Sequence, residues 1–507
     1  MPFNSILFST KEETSATMPE CFGDLHLDQV ISSACAGKDE YNLRTFFYTP
    51  LASAENINYR QQVFKDLEHP EARQPVETFA AYMKQMRQSW IVYEKSLYDH
   101  QKQRIFLDIV TDYCDAVTRL EKGLSSAQLK SQGLLQFADY LKSYLCSSSF
   151  ITLSSEATEL LKDLQGIQYN IVIRQLRIQV LPYNHQPDYS AVIEKTFSRF
   201  QQQAQKDYRV KFDNSPDMNH VEAAILKGVS ELYPQLFERL KQYASGHTNY
   251  LDDTIAAFDR EVQFYIAWLQ YISELKQRGL LFCYPKILKD SKNVRCSESF
   301  DIALAKKLSA ENKRVVTNDF CLEKEERIIV VTGPNQGGKT TFARMFGQLH
   351  YLARLGCCVP GKEAALFLYD QLLTHFEKEE TVETHRSKFE DDLVRIHEML
   401  EKATPGSILI LNEIFSSTTL QDATFLNKKI MQIADRLDML CVWVTFIDEL
   451  LNLSRKTVSM LSTIEPDNPA ARTFKIIRRP ANGLAYALSI AEKYHVTYQQ
   501  LKDRIKV

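Results

Sequence analysis

Glycine and proline are scarce in these 507 residues, at 16 each, and no low-complexity tract or internal repeat is present. With 44% apolar and 25% charged residues, wholesale disorder is excluded. Net charge is also nearly absent: 61 Lys and Arg stand against 64 Asp and Glu, a formal −3. Bulk charge therefore cannot attach the chain to nucleic acid or a membrane, and any such contact must come from a local patch. No apolar run approaches the ~18–20 residues that cross a bilayer. Residues 1–13 have neither the basic flank nor the apolar stretch of a signal peptide. Ten cysteines occur without a C-x-x-C spacing, which argues against a disulfide frame or zinc site. The expected compartment is the cytoplasm, with no membrane partner.

What is present divides by texture, and the length suggests roughly three domains. Most of the first 280 residues reads as helix. After Asp252-Asp253-Thr254, a capping sequence, Ile255, Phe258, Val262, Tyr265, Leu269, Ile272 and Leu275 recur at steps of three and four. They mark one helical face, suited to a coiled coil, an antiparallel bundle or a lever arm. Between about 165 and 190, Ile167, Tyr169, Ile171 and Ile173, then Leu176, Ile178 and Val180, alternate with other residues and predict one or two strands ending at Pro182. From Gln165 to Phe212, seven basic residues (Arg174, Arg177, Lys195, Arg199, Lys206, Arg209, Lys211) face three acidic ones. Tyr189, Phe197, Phe200, Tyr208 and Phe212 interleave with them. This pattern fits a surface touching a nucleic-acid backbone, and equally a solvated face over an aromatic core.

After about residue 290 the pattern becomes α/β. Arg327–Thr332, Ser407–Leu411 and Cys441–Thr445 read as buried strands between helices, hence a largely parallel sheet. Directly after the first of these comes Gly333-Pro334-Asn335-Gln336-Gly337-Gly338-Lys339-Thr340-Thr341, a G-x-x-x-x-G-K-[ST] match between strand and helix. Such a loop wraps phosphate with its N–H groups, Lys339 meeting the β- and γ-phosphates and Thr340 ligating Mg²⁺. Roughly 75 residues downstream, the strand Ile408–Leu411 runs into Asn412 and Glu413. Glu413 can orient or deprotonate water, and Asn412 stands where an Asp is usual, able to hold a metal-bound water without charge. Ser387 and Glu390 form an S-x-x-E helix start ahead of Leu393, Ile396 and Leu400, and a helix tip of this kind can also receive a γ-phosphate.

These segments together resemble the MutS-type mismatch-repair ATPases. The resemblance rests on Thr332–Thr341, on Thr317-Asn318-Asp319 before it, on Leu355–Pro360, on Arg386-Ser387-Lys388-Phe389-Glu390 at the ABC-type signature, and on Asn412-Glu413-Ile414. Thr418, Thr419, Asp422, Gly483–Leu488 and, upstream, Tyr48–Arg60 with its P-L…I-x-x-R pattern add to it. The implied fold is multidomain: a mostly α-helical core and lever region with a small clamp insertion, plus a C-terminal α/β P-loop ATPase domain of ABC type. The implied boundaries are 1–160 for the helical core, 161–220 for the clamp, 221–290 for the lever and 291–507 for the ATPase with a helical dimerisation segment. The implied ligands are ATP, held by residues 333–341, and Mg²⁺, held by Thr340 and Asn412, with Glu413 catalytic. A homodimer would bring Ser387 of one copy to ATP on Lys339 of the other, and DNA, duplex or branched, would meet residues 165–212. DNA-repair proteins would be further partners.

Three departures qualify this. Asn412 replaces the family's Asp, Phe446 stands where a His is usual, and no phenylalanine is followed two residues later by Glu, as a mismatch wedge requires. The resemblance starts near residue 20, so the expectation is a short form without the mismatch-recognition domain, and with no nuclease domain after Val507. The leading reading is an ATP-switched DNA clamp, with slow or DNA-dependent turnover, in mismatch-repair-like or recombination-related transactions. The alternative is a nucleotide-controlled scaffold that hydrolyses little and acts through protein partners. A P-loop kinase of small molecules ranks third, since it would leave the signature-like segment and levers without a purpose.

Overall fold

The computed structural model describes residues 3–10, 12–174, 177–185, 192–193, 195–197, 218–377, 387–465, 468–480 and 496–504. Arg386, the 483–488 segment, and Arg199, Lys206, Arg209 and Lys211 of the basic stretch lie outside them. The chain forms two compact units. One comprises residues 1–3, 69–129 and 134–259; the other comprises 4–68, 130–133 and 260–507.

The first unit is helical. Helices Pro70–Lys95 and Asp99–Ser126, separated by a three-residue loop, pack along each other. Shorter helices Gln132–Leu145 (from Leu134 onward), Ser148–Gln165, His220–Leu232 and Pro234–Gly246 belong to the same unit. The alternating segment forms an antiparallel hairpin, β1 (Tyr169–Arg174) and β2 (Arg177–Pro182), with Arg174 opposite Arg177 at its turn. Period-two patterning predicts a half-buried face, yet Ile171, Ile173 and Ile178 are all exposed. Among the described residues this ribbon has no third strand to pair with, so its apolar side chains remain largely in solvent.

The predicted amphipathic helix is α1 (Asp253–Gln277). Asp252 caps it, accepting from the N–H groups of Thr254 and Ile255 at 2.9 and 3.0 Å. All seven stripe residues are buried, and so is every residue from Val262 to Leu269. Such all-round burial makes this stretch a core helix.

The second unit is built on a six-stranded sheet whose strands are β3 (Ile328–Thr332), β4 (Leu372–His375), β5 (Ile408–Asn412), β6 (Leu440–Val444), β7 (Thr457–Glu465) and β8 (Asn468–Arg478), in spatial order β4-β5-β6-β3-β7-β8. The first five are parallel and β8 is antiparallel to β7. Every residue of β3, β5 and β6 is buried, as expected when helices cover both faces of a parallel sheet. α2 (Lys339–Arg354) lies on one face. On the other, α3 (Lys388–Lys402) and α4 (Leu420–Arg436) bring Ile396, Met399, Ile430 and Met431 against Leu409, Leu411 and Trp443. Predicted Leu393 and Leu400 join that core from its edge. A smaller sheet, Lys286–Leu288, Glu363–Phe367, Arg295–Ser299 and Asn318–Cys321, adjoins.

Residues 4–68 belong to this unit, and two buried arginines are among the groups that fasten them. Arg60, fully buried, donates to the Leu7 carbonyl (2.9 Å) and the Leu355 carbonyl (3.1 Å), its guanidinium between the rings of Phe8 and Phe264. Arg354 donates to the Leu51 carbonyl while Leu51 N–H donates back, both at 2.9 Å. The Tyr48–Arg60 segment is thereby fastened to the far end of α2. All ten cysteines are free, and no described helix is long and apolar enough to cross a membrane.

Candidate nucleotide site

Parallel strands bring their carboxyl ends to one edge, which is where open α/β sheets carry their ligands. Here the edge gathers Gly333 after β3, Asn412 and Glu413 at the end of β5, Thr445 and Phe446 after β6, and Ser462 on β7. The sheet places β3 between β6 and β7, so residues remote in sequence surround the loop 333–338.

That loop is tightly made. Gly333 has φ +121°, a region essentially reserved for glycine, and a Cβ there would lie 2.9 Å from the Ser462 Cβ. A Cβ on Gly337 would lie 2.3 Å from the Ser462 Oγ, which donates to the Gly337 carbonyl at 2.7 Å. Two of the motif's glycines are thus required by the neighbouring strand as well as by phosphate. Asn335 and Gln336 are exposed at the loop's tip, with Gln336 in the left-handed region at φ +58°. Gly338 (φ +92°) starts α2 without a side-chain cap, which leaves first-turn N–H groups for an anion.

Lys339 is 4% exposed. Its ammonium donates to the carbonyls of Gly333 (3.0 Å) and Pro334 (3.3 Å) and to Asn335 Oδ1 (3.3 Å), and pairs with Glu413 Oε1 at 3.6 Å. The Phe446 ring centroid lies 3.9 Å from Nζ. Burial pushes this ammonium below the ordinary lysine range, against the pull of the Glu413 carboxylate. Thr340 Oγ1 donates to Asn412 Oδ1 at 2.9 Å, and Thr341 follows on the first turn of α2. Glu413 itself stands at φ +51°, unusual for a side chain of this size, its N–H held by the Val444 carbonyl at 2.9 Å. Such backbone conformations persist where the surroundings over-determine them.

Ser387 is the N-cap of α3, its Oγ accepting from Glu390 N–H at 3.3 Å. The same helix carries Asp392, which pairs with buried His375 at 3.0 Å and accepts from Phe415 N–H at 3.3 Å. Thr419 caps α4 by accepting from Asp422 N–H at 3.2 Å. Asn318 acts as a backbone surrogate between sheets: Oδ1 accepts from Ile476 N–H (2.8 Å) and Nδ2 donates to the Phe474 carbonyl (3.1 Å). The structure therefore brings Gly333–Thr341, Asn412 and Glu413 together, and holds Ser387 on a helix tied to the loop that follows Glu413.

Two neighbours of the loop, and one residue that holds α4 on the sheet, escape a reading by motif. Ser462 and Arg472, whose Nε donates to the Asn335 carbonyl at 3.2 Å, come from β7 and β8, and neither has a sequence signal. Asn427 on α4 receives the Trp443 indole N–H at 2.8 Å, fixing that helix on the sheet. Among the described residues, no group of three His, Cys, Asp or Glu is placed to hold a metal by itself. A cation would depend on Thr340, Asn412 and the nucleotide's own oxygens.

The profile of MutS domain V matches residues 329–500. The chain is 26% identical over 216 residues to the DNA mismatch repair protein MutS of Orientia tsutsugamushi strain Boryong, covering 42% of this chain and 24% of that protein. It is 28% identical over 230 residues to MutS of Chloroflexus aurantiacus, covering 45% and 23%. With MutS of Listeria monocytogenes serotype 4b it shares 23% over 286 residues, 55% and 32%. The matched stretch spans about a quarter to a third of these relatives' length. Over residues 329–500, the module that contains its P-loop, the chain matches MutS domain V, and it is similar to MutS proteins.

Proposed function

We propose that this protein is a MutS-like, ATP-dependent DNA-binding protein in which ATP binding and hydrolysis drive movement of a clamp on DNA. The observation that carries the reading is the position of Lys339: buried at the start of an uncapped helix, beside a glycine loop, with Glu413 within ion-pair range. The donor set fits a triphosphate with Mg²⁺. Lys339, the N–H groups of residues 337–341 and the Asn335 amide supply anion contacts, while the Thr340 hydroxyl and the Asn412 carbonyl oxygen, already 2.9 Å apart, would hold the cation. When bound, Mg²⁺ screens phosphate charge and helps the leaving group depart. Glu413 orients and deprotonates the attacking water; Lys339 and the α2 N-terminus stabilise the transferred phosphoryl group.

Ser387 is assigned to the γ-phosphate of a second copy, making the active species a homodimer. Leu420 and Phe425, exposed on α4, are apolar surface available to such a contact. DNA contact is assigned to the stretch 165–212, of which Arg174 and Arg177 sit at the hairpin turn. Within the proposal, domains run 1–160, 161–220 (clamp), 221–290 (lever) and 291–507, and the protein is a short form in the cytoplasm that works with DNA-repair partners. Asn412, uncharged, and Phe446, against Lys339, favour a second reading, the scaffold that binds ATP and hydrolyses little.

The test is nucleotide binding, ATPase rate and DNA affinity of the parent and Lys339→Ala, with mismatched and branched DNA at low salt. Lys339→Ala should lose ATP binding and, with it, any ATP effect on DNA affinity. A parent that binds no DNA in any nucleotide state rejects the clamp. A Glu413→Gln protein with full biological function would instead select the scaffold.

A further inference from the structure

Every hydrogen-bonding and charge requirement of Lys339 is met by the protein itself. Three oxygens at 3.0–3.3 Å take its protons and Glu413 lies at 3.6 Å. The remaining side is covered by Phe446, whose ring is about half exposed (53%) while the ammonium beneath it is nearly dry. Phe446 is placed there by the sheet: β6 runs parallel beside β3, and Thr445 N–H donates to the Val331 carbonyl at 3.2 Å, so the next residue of that strand end meets the loop after β3. A phenyl ring attracts the ammonium by its quadrupole and gives phosphate nothing in return, since it has no donor.

We propose that Phe446 is a positioning residue that latches Lys339 over Glu413, so that a triphosphate binds only by drawing the ammonium off the ring and, in doing so, releases Glu413 for water. The proposal rests on the nucleotide-site reading above. Its consequence is that the latch opposes binding of the β- and γ-phosphates and leaves the nucleoside end untouched. It also ties the freedom of Glu413 to the arrival of the group it acts on.

The test is equilibrium binding of ATP, inorganic triphosphate and AMP to the full chain and to Phe446→Leu, which keeps an apolar side chain but removes the π face. A partly exposed cation–π contact is expected to yield about 2- to 5-fold tighter binding of ATP and of inorganic triphosphate in Phe446→Leu. AMP, lacking both outer phosphates, should bind as to the parent. Phe446→Tyr, restoring a π face, should return the triphosphate affinity to the parental value. A gain in affinity is not what a misfolded site produces, so the expected result cannot come from damage. Unchanged or weaker triphosphate binding in Phe446→Leu, an equal gain for AMP, or failure of Tyr to reverse the gain would each overturn the latch. Those outcomes differ from failure of the nucleotide site itself, in which the parent would bind neither ATP nor inorganic triphosphate.

Discussion

Adding one methyl group at Gly337 tests whether the phosphate loop is shaped by strand β7. The new Cβ would stand 2.3 Å from the Ser462 Oγ, 2.9 Å from the Pro334 carbonyl oxygen and 3.3 Å from the Ser462 Cβ. Ser462 is fully buried, so it has nowhere to swing. Overpacking of this kind costs about 1–3 kcal/mol. Ser462→Ala alone removes the 2.7 Å hydrogen bond to the Gly337 carbonyl, a loss of about 0.5–1.5 kcal/mol. In the double variant the worst contact has gone, and the Pro334 oxygen at 2.9 Å and the residue 462 Cβ at 3.3 Å remain against the methyl. The pair should therefore cost less than the sum of its parts, by about 1 kcal/mol. Urea unfolding of the parent, both single variants and the double variant measures this directly. Additivity to within ~0.3–0.5 kcal/mol would mean that the methyl never meets the hydroxyl, and the account of this loop would be wrong.

Other outcomes follow from the same geometry. Glu413→Gln keeps the shape of the side chain without its base, so ATP hydrolysis should fall at least ~100-fold while ATP binding survives; phosphate release against equilibrium binding separates the two. Ser387→Ala should destabilise the start of α3 by about 1 kcal/mol, and Ser387→Asp should recover that stability. If Ser387 also receives a γ-phosphate, Asp will repel it, so restored stability with absent ATPase supports the assigned role and restored ATPase refutes it. His350, wholly buried on α2 with Nδ1 at 2.8 Å from the Phe346 carbonyl, is pushed by burial down to about 4. Below its ordinary value near 6.5 the unfolded chain takes up a proton that the folded chain refuses. Stability is therefore full above about pH 6.5 and declines toward pH 4, by about 3 kcal/mol in all. Urea midpoints across that range, flattened in His350→Phe, would check it.

Local chemistry was readable wherever one short segment contains the whole reason for it. The loop 333–340 announces itself between an apolar strand and a helix. β3, β5 and β6 appear as unbroken apolar runs because both their faces are covered, and the starts of α1 and α3 are marked by Asp252 and Ser387. The hairpin was readable as strands, but its exposure was not, since alternation describes a strand's pattern and says nothing of whether a partner covers it.

Tertiary structure alone decided who surrounds Lys339. Phe446 could be noted as an odd residue after a strand, yet its contact with the ammonium exists because β6 is the strand beside β3. Ser462 and Arg472 reach the loop from the opposite side, across β7 and β8, and Arg60 attaches residues 4–68 to the end of the same helix that Lys339 begins. Spacing within a segment determines helix, strand and turn because those depend on neighbours a few residues apart. Strand order is set by how the buried faces of distant segments fill one core together, and no segment carries that information by itself.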